Sequence, residues 1–436
     1  MEFSPMPSPR SRMTGRTGRF ATLAAAATVG ALTLSSCGGG GDDGGDVELR
    51  FAWWGSDSRH QATQEIIDAF EEQNPDISVS AEFGDWSGYW DQLATQTAAT
   101  DMPDIIQMDD AYLREYADRG ALLDLDQVDT SALDQDVLEN GRTEDGLIGI
   151  TTGINAMVLM ANPEIFEEAG VDMPDDSTWT WDDYLEITST ISENVDGVYG
   201  ATGPGQPADL QIWLRQQDKH LTTDDGELGF TEDDAAEYFE HLLELMEEGG
   251  YPGASVIAED QTPGPDESMT ASGEVAMGMW WTNQLSAMSG AAGTELVPLR
   301  MPSHTGGAED NGMWYKSTML MSVAATTDHP EEAQQFVDFM INSEEAGEAN
   351  LTDRGLPTNL DVREAVMGQI EGADLTSAEF IEDIDDEIGE PEPVPAMGFS
   401  AMQEILQRYE LEVFFERQSP QDAAAQMISE METELR

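Results

Sequence analysis

Four short stretches set aromatic rings beside carboxylates, hydroxyls and amides: Trp54, Ser56, Asp57 and Arg59; Asp85, Trp86 and Tyr89; Met108, Asp109 and Tyr112; and Trp280, Trp281 and Asn283. Aromatic plates stack on an apolar ligand face, and planar polar groups grip a rim of hydroxyls through paired hydrogen bonds. That is the chemistry of holding a small polyhydroxylated ligand such as a sugar. Another small solute, a peptide or a polyamine, stays open, since a polyamine site also uses acids and aromatics. The constellations of bond breaking are missing: no H-E-x-x-H, G-x-S-x-G or Walker loop occurs. His60, His220, His241, His304 and His329 are scattered without metal-ligand spacing. A glycosidase needs two carboxylates flanking a cleft, but among 88 acids any such pair is uninformative. A secreted glycoside-acting enzyme is therefore a secondary reading, and no cofactor or metal is expected. Asp224-Asp225-Gly226-Glu227 reads as a turn, because its ligand alternation is wrong for calcium.

The elements that would position these residues alternate strand and helix. Val47 to Trp54 reads as a buried strand, Arg59 to Gln73 as an amphipathic helix stopped by Asn74-Pro75, and Ile77 to Phe83 as a second strand. Trp86 to Thr100 is helical, Asp104 to Met108 is a third strand, and Ala111 to Asp118 is helical again. Such alternation predicts an α/β fold with a largely parallel sheet. Gly146 to Ala161 reads as two strands joined near Gly153. Helical periodicity follows at 163–169, 181–193, 208–219, 233–248, 330–341, 401–417 and 420–435, with strands at 275–281 and 319–324. In open α/β sheets ligands lie at the carboxyl ends of the strands, where the four aromatic groups fall. No internal repeat or all-β pattern points to an adhesin.

The start of the chain carries an address. Arg10, Arg12, Arg16 and Arg19 precede an apolar run, Phe20 to Leu34, shorter than the ~20 residues a membrane-spanning helix needs. Leu34-Ser35-Ser36-Cys37 resembles the bacterial lipobox, and lipidation would give the chain's single cysteine its purpose. Residues 1–36 are thus expected to be a lipoprotein signal peptide. Residues 37–46, rich in glycine, are expected to be a flexible tether. The about 390 residues beyond are enough for two lobes with large cores, built without disulfides.

The 88 acidic residues face 18 basic ones, a formal charge of −70, and Lys219 and Lys316 are the only lysines. Nucleic-acid binding, which needs a basic footprint, is excluded. The acids are dispersed over amphipathic helices, as on a solvated surface suited to saline surroundings.

The order of segments resembles the extracellular solute-binding proteins of family 1, the sugar-binding lipoproteins of ABC importers. The stretches that carry the likeness are Leu49–Gly55 (LRFAWWG), Ile67–Ile77 (IDAFEEQNPDI), Met102–Met108 (MPDIIQM) with Gly120–Leu125 (GALLDL), Gly273–Trp280 (GEVAMGMW) and Pro330–Phe339 (PEEAQQFVDF). The resemblance implies two α/β lobes, a type II binding-protein fold, joined by a multi-strand hinge with the ligand cleft between. The crossings would fall near 153–157, 312–317 and 355–360. Residues 47–153 and 317–357 would form lobe 1, and 154–316 and 358–436 lobe 2. It also implies a monomer held at the outer face of the cytoplasmic membrane by lipid on Cys37, delivering a sugar to permease subunits.

Carried over position by position, the likeness makes Asp57 and Asp109 acids that bond ligand hydroxyls. It makes Trp281 or Trp280 the stacking platform and puts Asn155 at the first crossing. Trp213, Trp314 and Arg354 are further candidates, with Phe399 loosely aligned. Plainer roles compete with these. Trp53 inside its strand reads as core, Asp85 as a helix N-cap, Arg59 as cover for a helix end, and Lys316 as a donor to a hinge carbonyl. The methionines read as gap-fillers.

Overall fold

The computed structural model describes residues 47–435 except 56, 134, 144–145, 224–225, 262–263, 391 and 393, and only the backbone of Asp57, Ser58, Ser87 and Asp136. The expected signal peptide, Cys37 and the tether lie outside the described residues, as do Ser56 and Asp224-Asp225. Among the described residues no helix is long and apolar enough to cross a membrane.

The strands, in chain order, are β1 (Val47–Trp54), β2 (Ile77–Gly84), β3 (Ile105–Met108), β4 (Arg142–Thr143), β5 (Gly146–Leu147), β6 (Ile150–Thr151), β7 (Gly153–Asn155), β8 (Met157–Ala161), β9 (Tyr199–Ala201), β10 (Val275–Trp281), β11 (Val297–Leu299), β12 (Lys316–Ser317), β13 (Leu320–Val323) and β14 (Leu356–Pro357). The first three helices are α1 (Asp57–Gln73), α2 (Trp86–Ala98) and α3 (Asp110–Ala117).

Lobe 1 is built on a sheet of order β2-β1-β3-β13-β6. β1 runs parallel to β2 and β3, and β13 is antiparallel to β3 and β6. Successive side chains of a strand face opposite sides, and β1 uses both. Leu49, Phe51 and Trp53 pack with Ile66, Ile67 and Phe70 of α1 and with Phe336. Ala52 and Trp54 pack on the other side with Tyr89, Trp90 and Leu93 of α2. Trp53 is fully buried, in keeping with its core reading. Lobe 2 holds the sheet β11-β8-β10-β9, in which β8 is buried throughout and pairs antiparallel with β10 and β11.

The third sheet, β12-β7-β14, is the hinge. Lys316 lies opposite Asn155, and Leu356 opposite Ile154. Two glycines let these strands close up. A Cβ on Gly153 would lie 2.2 Å from the Arg354 carbonyl oxygen, and Gly355 has φ +81° with Thr318 2.3 Å from where its Cβ would be.

Two expectations need correction. The stretch 146–161 is four short strands, not two, because β6, β7 and β8 each join a different sheet. Periodicity cannot show such a hand-over. The helix Leu360–Val366, placed with lobe 2 from sequence, packs on the helix Glu344–Asn350 and is tied to lobe 1 by Leu360 N donating to the Ala132 carbonyl at 3.0 Å.

Candidate functional site

The lobe 1 aromatics form one cluster. Trp54 ends β1, with its ring 5.0 Å from Trp86, 5.3 Å from Tyr89 and 5.5 Å from Trp90. Trp90 in turn stacks on Tyr112 of α3 at 3.8 Å and 11° between planes. Trp90 was not among the expected residues, although it lies four positions after Trp86 and so on the same helix face. Trp86 remains exposed. Asp85 is the N-cap of α2, its Oδ1 accepting from Gly88 N at 2.8 Å, which is the plainer role considered for it.

The centre of the arrangement is Lys316 on the hinge strand β12. Its Nζ is 2.9 Å from Asp110 Oδ1 and 3.5 Å from Asp109 Oδ2, both at the start of α3. The same Nζ donates to the Ser317 carbonyl at 3.3 Å and lies 5.7 Å from the centre of the Trp281 ring in lobe 2. Burial pushes the Asp109 carboxyl up, to about 7, against the pull of Lys316. The two carboxylates hold the Lys316 ammonium above its ordinary value, although burial opposes them. Asp109 also caps α3 by accepting from Ala111 N at 3.0 Å.

Trp280 and Trp281 point to opposite faces of β10. Trp280 Nε1 donates to Thr270 Oγ1 at 3.0 Å, within lobe 2. Trp281 turns to the hinge side, its Nε1 donating to Gln206 Oε1 at 2.8 Å and its ring edge-on to Trp314 at 6.0 Å. Asn155 on β7 donates through Nδ2 to Asn283 Oδ1 at 3.0 Å, leaving its own Oδ1 buried without a partner among the described residues. A narrow cleft opens beside Lys316, lined by Asp110, Asn140, Trp314, Tyr315, Glu392 and Val394 among others.

Other expected residues are elsewhere. Arg354 is fully buried and donates to Gln107 Oε1, Asn350 Oδ1 and Thr63 Oγ1 at 2.9, 3.0 and 2.8 Å, so no ligand reaches it. Burial and neighbouring Arg59 lower its guanidinium to about 9. Arg59 is paired with Asp353 and bonds the Asp353 and Trp54 carbonyls. Trp213 belongs to the lobe 2 core, stacked on His241 at 4.7 Å. Tyr89 faces inward and donates to the Gln107 carbonyl at 2.5 Å, and Met108 is fully buried. In each of these five the side chain points into packed structure, which a strand-end position alone does not reveal. Asp57 opens α1, but its side chain lies outside the described atoms. Asp110, Asn140, Tyr315, Gln206 and Glu392 carried no sequence signal beyond polarity. Only Asp110, adjacent to Asp109, was within reach.

Comparison with known proteins agrees with this architecture. An arabinooligosaccharide-binding protein of Halalkalibacterium halodurans is 28% identical over 224 residues, 49% of this chain and 48% of that protein. An uncharacterised lipoprotein of Streptomyces antibioticus is 28% identical over 190 residues, 42% of this chain and 41% of that one. The chain thus spans about half the length of the curated relatives it matches. A periplasmic oligogalacturonide-binding protein of Yersinia enterocolitica, solved with saturated digalacturonic acid, superposes with a TM-score of 0.78 at 21% identity, covering 89% of this chain and all of that one. Its likeness establishes the two-lobed type II fold. The family profile of bacterial extracellular solute-binding proteins matches residues 56–347, two-thirds of the chain, and the protein belongs to that family.

Proposed function

We propose that the protein is the sugar-binding component of an ABC importer. It captures a sugar or oligosaccharide between its lobes and delivers it to permease subunits. It acts as a binder rather than an enzyme. The observation that carries the reading is the meeting at Lys316, which lines the cleft together with Asp110, of Trp281 from lobe 2 and Asp109 from lobe 1. There a ring face and hydrogen-bonding groups converge as a sugar requires. The exposed Trp86 and half-buried Tyr112 add aromatic surface on lobe 1, and Asn155 Oδ1, without a partner among the described residues, is an acceptor awaiting a donor. The names of the relatives, which bind arabino- and galacturono-oligosaccharides, support the same class. A ligand longer than this cleft enters with the lobes apart and is enclosed by hinge closure.

Around this site we divide the chain as the sequence suggests, except that the helix Leu360–Val366 goes with lobe 1. We place a lipid on Cys37 and a single protomer at the outer membrane face. The relative named a lipoprotein supports the anchor.

The test is the thermal shift of the protein in molar salt with mono- and oligosaccharides, peptides and polyamines. A sugar at ~100 times its dissociation constant stabilises the fold by about 2.7 kcal/mol. One second reading has its own support. Carboxylates and a tryptophan ring around an ammonium, as found at Lys316, would also hold a polyamine. A shift with spermidine alone would replace sugar by polyamine, and hydrolysis of a glycoside without any shift would replace binder by enzyme.

A further inference from the structure

The cations at the cleft are already engaged. Lys316, the one cationic residue among those lining it, is held by Asp110 at 2.9 Å and Asp109 at 3.5 Å. Over the Trp314 ring, Arg215 is paired with Glu392 and donates to the Gly312 and Glu390 carbonyls at 2.9 Å each. Arg114 of α3 donates to the carbonyls of Pro395 and Val394 at 3.1 and 3.3 Å. The two lining carboxylates, Asp110 and Glu392, therefore each neutralise a neighbouring cation.

A carboxylate ligand gains strongly only from an Arg or Lys free to pair with it, and it loses its hydration on entry. In this cleft it would have to take Lys316 away from Asp110, leaving that carboxylate unpaired. It would do so within a chain whose formal charge is −70. A neutral sugar ring meets neither cost. It needs only the Trp281 face beside Lys316 and hydrogen bonds from groups already paired with one another.

Resting on the sugar-binding reading above, we propose that Asp110 determines specificity: by holding Lys316 it restricts the cleft to uncharged sugars and rejects uronic acids. This choice works as specificity commonly does, by making the wrong ligand costly rather than the right one tighter.

The experiment is calorimetric titration of the protein and of Asp110→Asn at 0.15 M salt, where contact charges are not masked. The probes are galactobiose, maltotriose and arabinotriose, with digalacturonic acid as the anionic counterpart of galactobiose. The wild type is expected to bind at least one neutral probe and to take digalacturonic acid at least ten-fold more weakly than the best neutral one. Asp110→Asn, which leaves Lys316 only the longer contact to Asp109, is expected to narrow that ratio at least ten-fold. Digalacturonic acid bound as tightly as the best neutral sugar overturns the inference while leaving sugar binding intact. An unchanged ratio in Asp110→Asn also overturns it, and Lys316→Met provides the check if that variant does not fold. With the cation gone, uronate binding must not improve, and an improvement contradicts the role given to Asp110. Binding of none of the probes removes the sugar reading and this inference with it.

Discussion

The Lys316 ammonium lies 5.7 Å from the centre of the Trp281 ring, so a residue of the hinge strand β12 covers the aromatic face that lobe 2 presents. On the function proposed above, a ligand stacking on Trp281 would share that face with Lys316, and the contact would link its occupancy to the hinge.

Trp281→Ala is expected to weaken sugar binding at least about ten-fold, roughly 1.4 kcal/mol, and, since both rings are half buried and each donates one hydrogen bond, to lower the melting temperature no more than Trp280→Ala does. Trp280→Ala, whose Nε1 bonds Thr270 inside lobe 2, is expected to lower the melting temperature and to affect binding less. Equal losses of affinity in the two variants, measured by calorimetry, would reverse the assignment of which ring faces the cleft.

Arg354→Met is expected to destabilise the fold by about 3 kcal/mol, because Gln107, Asn350 and Thr63 each lose their buried donor. Arg354→Lys should recover only part of this, since an ammonium does not reproduce the planar fork. Denaturant titration reads both, and a wild-type midpoint in Arg354→Met would show that the network contributes nothing.

Glu410 in lobe 2 is fully buried, with Oε1 3.4 Å from the Tyr238 hydroxyl and Oε2 without a partner. Burial pushes its carboxyl well above the usual range, and the nearby Asp209 carboxylate adds to this. Below the unfolded value of ~4.3 both states are protonated and nothing is lost. As pH rises above it, the unfolded chain ionises while the folded one retains its proton, so stability falls until the raised folded value is passed. Glu410→Gln should therefore be more stable than wild type at pH 7, by about 2 °C or more in melting temperature, and the two curves should meet near pH 4. Parallel curves would sink the idea.

The excess of 88 acids over 18 bases should make stability depend on salt. The melting temperature is expected to rise by about 5 °C or more between 0.1 and 2 M sodium chloride, as screening relieves self-repulsion. Potassium chloride should act alike. A flat profile would mean that the charges are spaced widely enough not to matter.

Much of the frame was legible from local pattern. The strands at Val47–Trp54 and Ile77–Gly84 and the helices Pro330–Asn342 and Pro420–Glu434 lie within a residue or so of where periodicity and stop signals put them. Asp85 caps its helix because the residue type, the following turn and the backbone donor lie within three positions. The segments between 146 and 161 were less legible, because a strand of two or three residues has no period to detect.

The sequence by itself determined the α/β alternation, the core face of β1 and the family likeness, since each depends on neighbours within a helical turn or a strand. It also determined that Trp280 and Trp281 face opposite ways. Only the tertiary structure decided which of them meets the hinge, that Arg354 and Trp213 are sealed inside packed lobes, and that Lys316 stands between Asp110 and Trp281. Those outcomes depend on how sheets far apart in the chain are brought side by side, and a strand's pattern records which side is buried but not what will cover it.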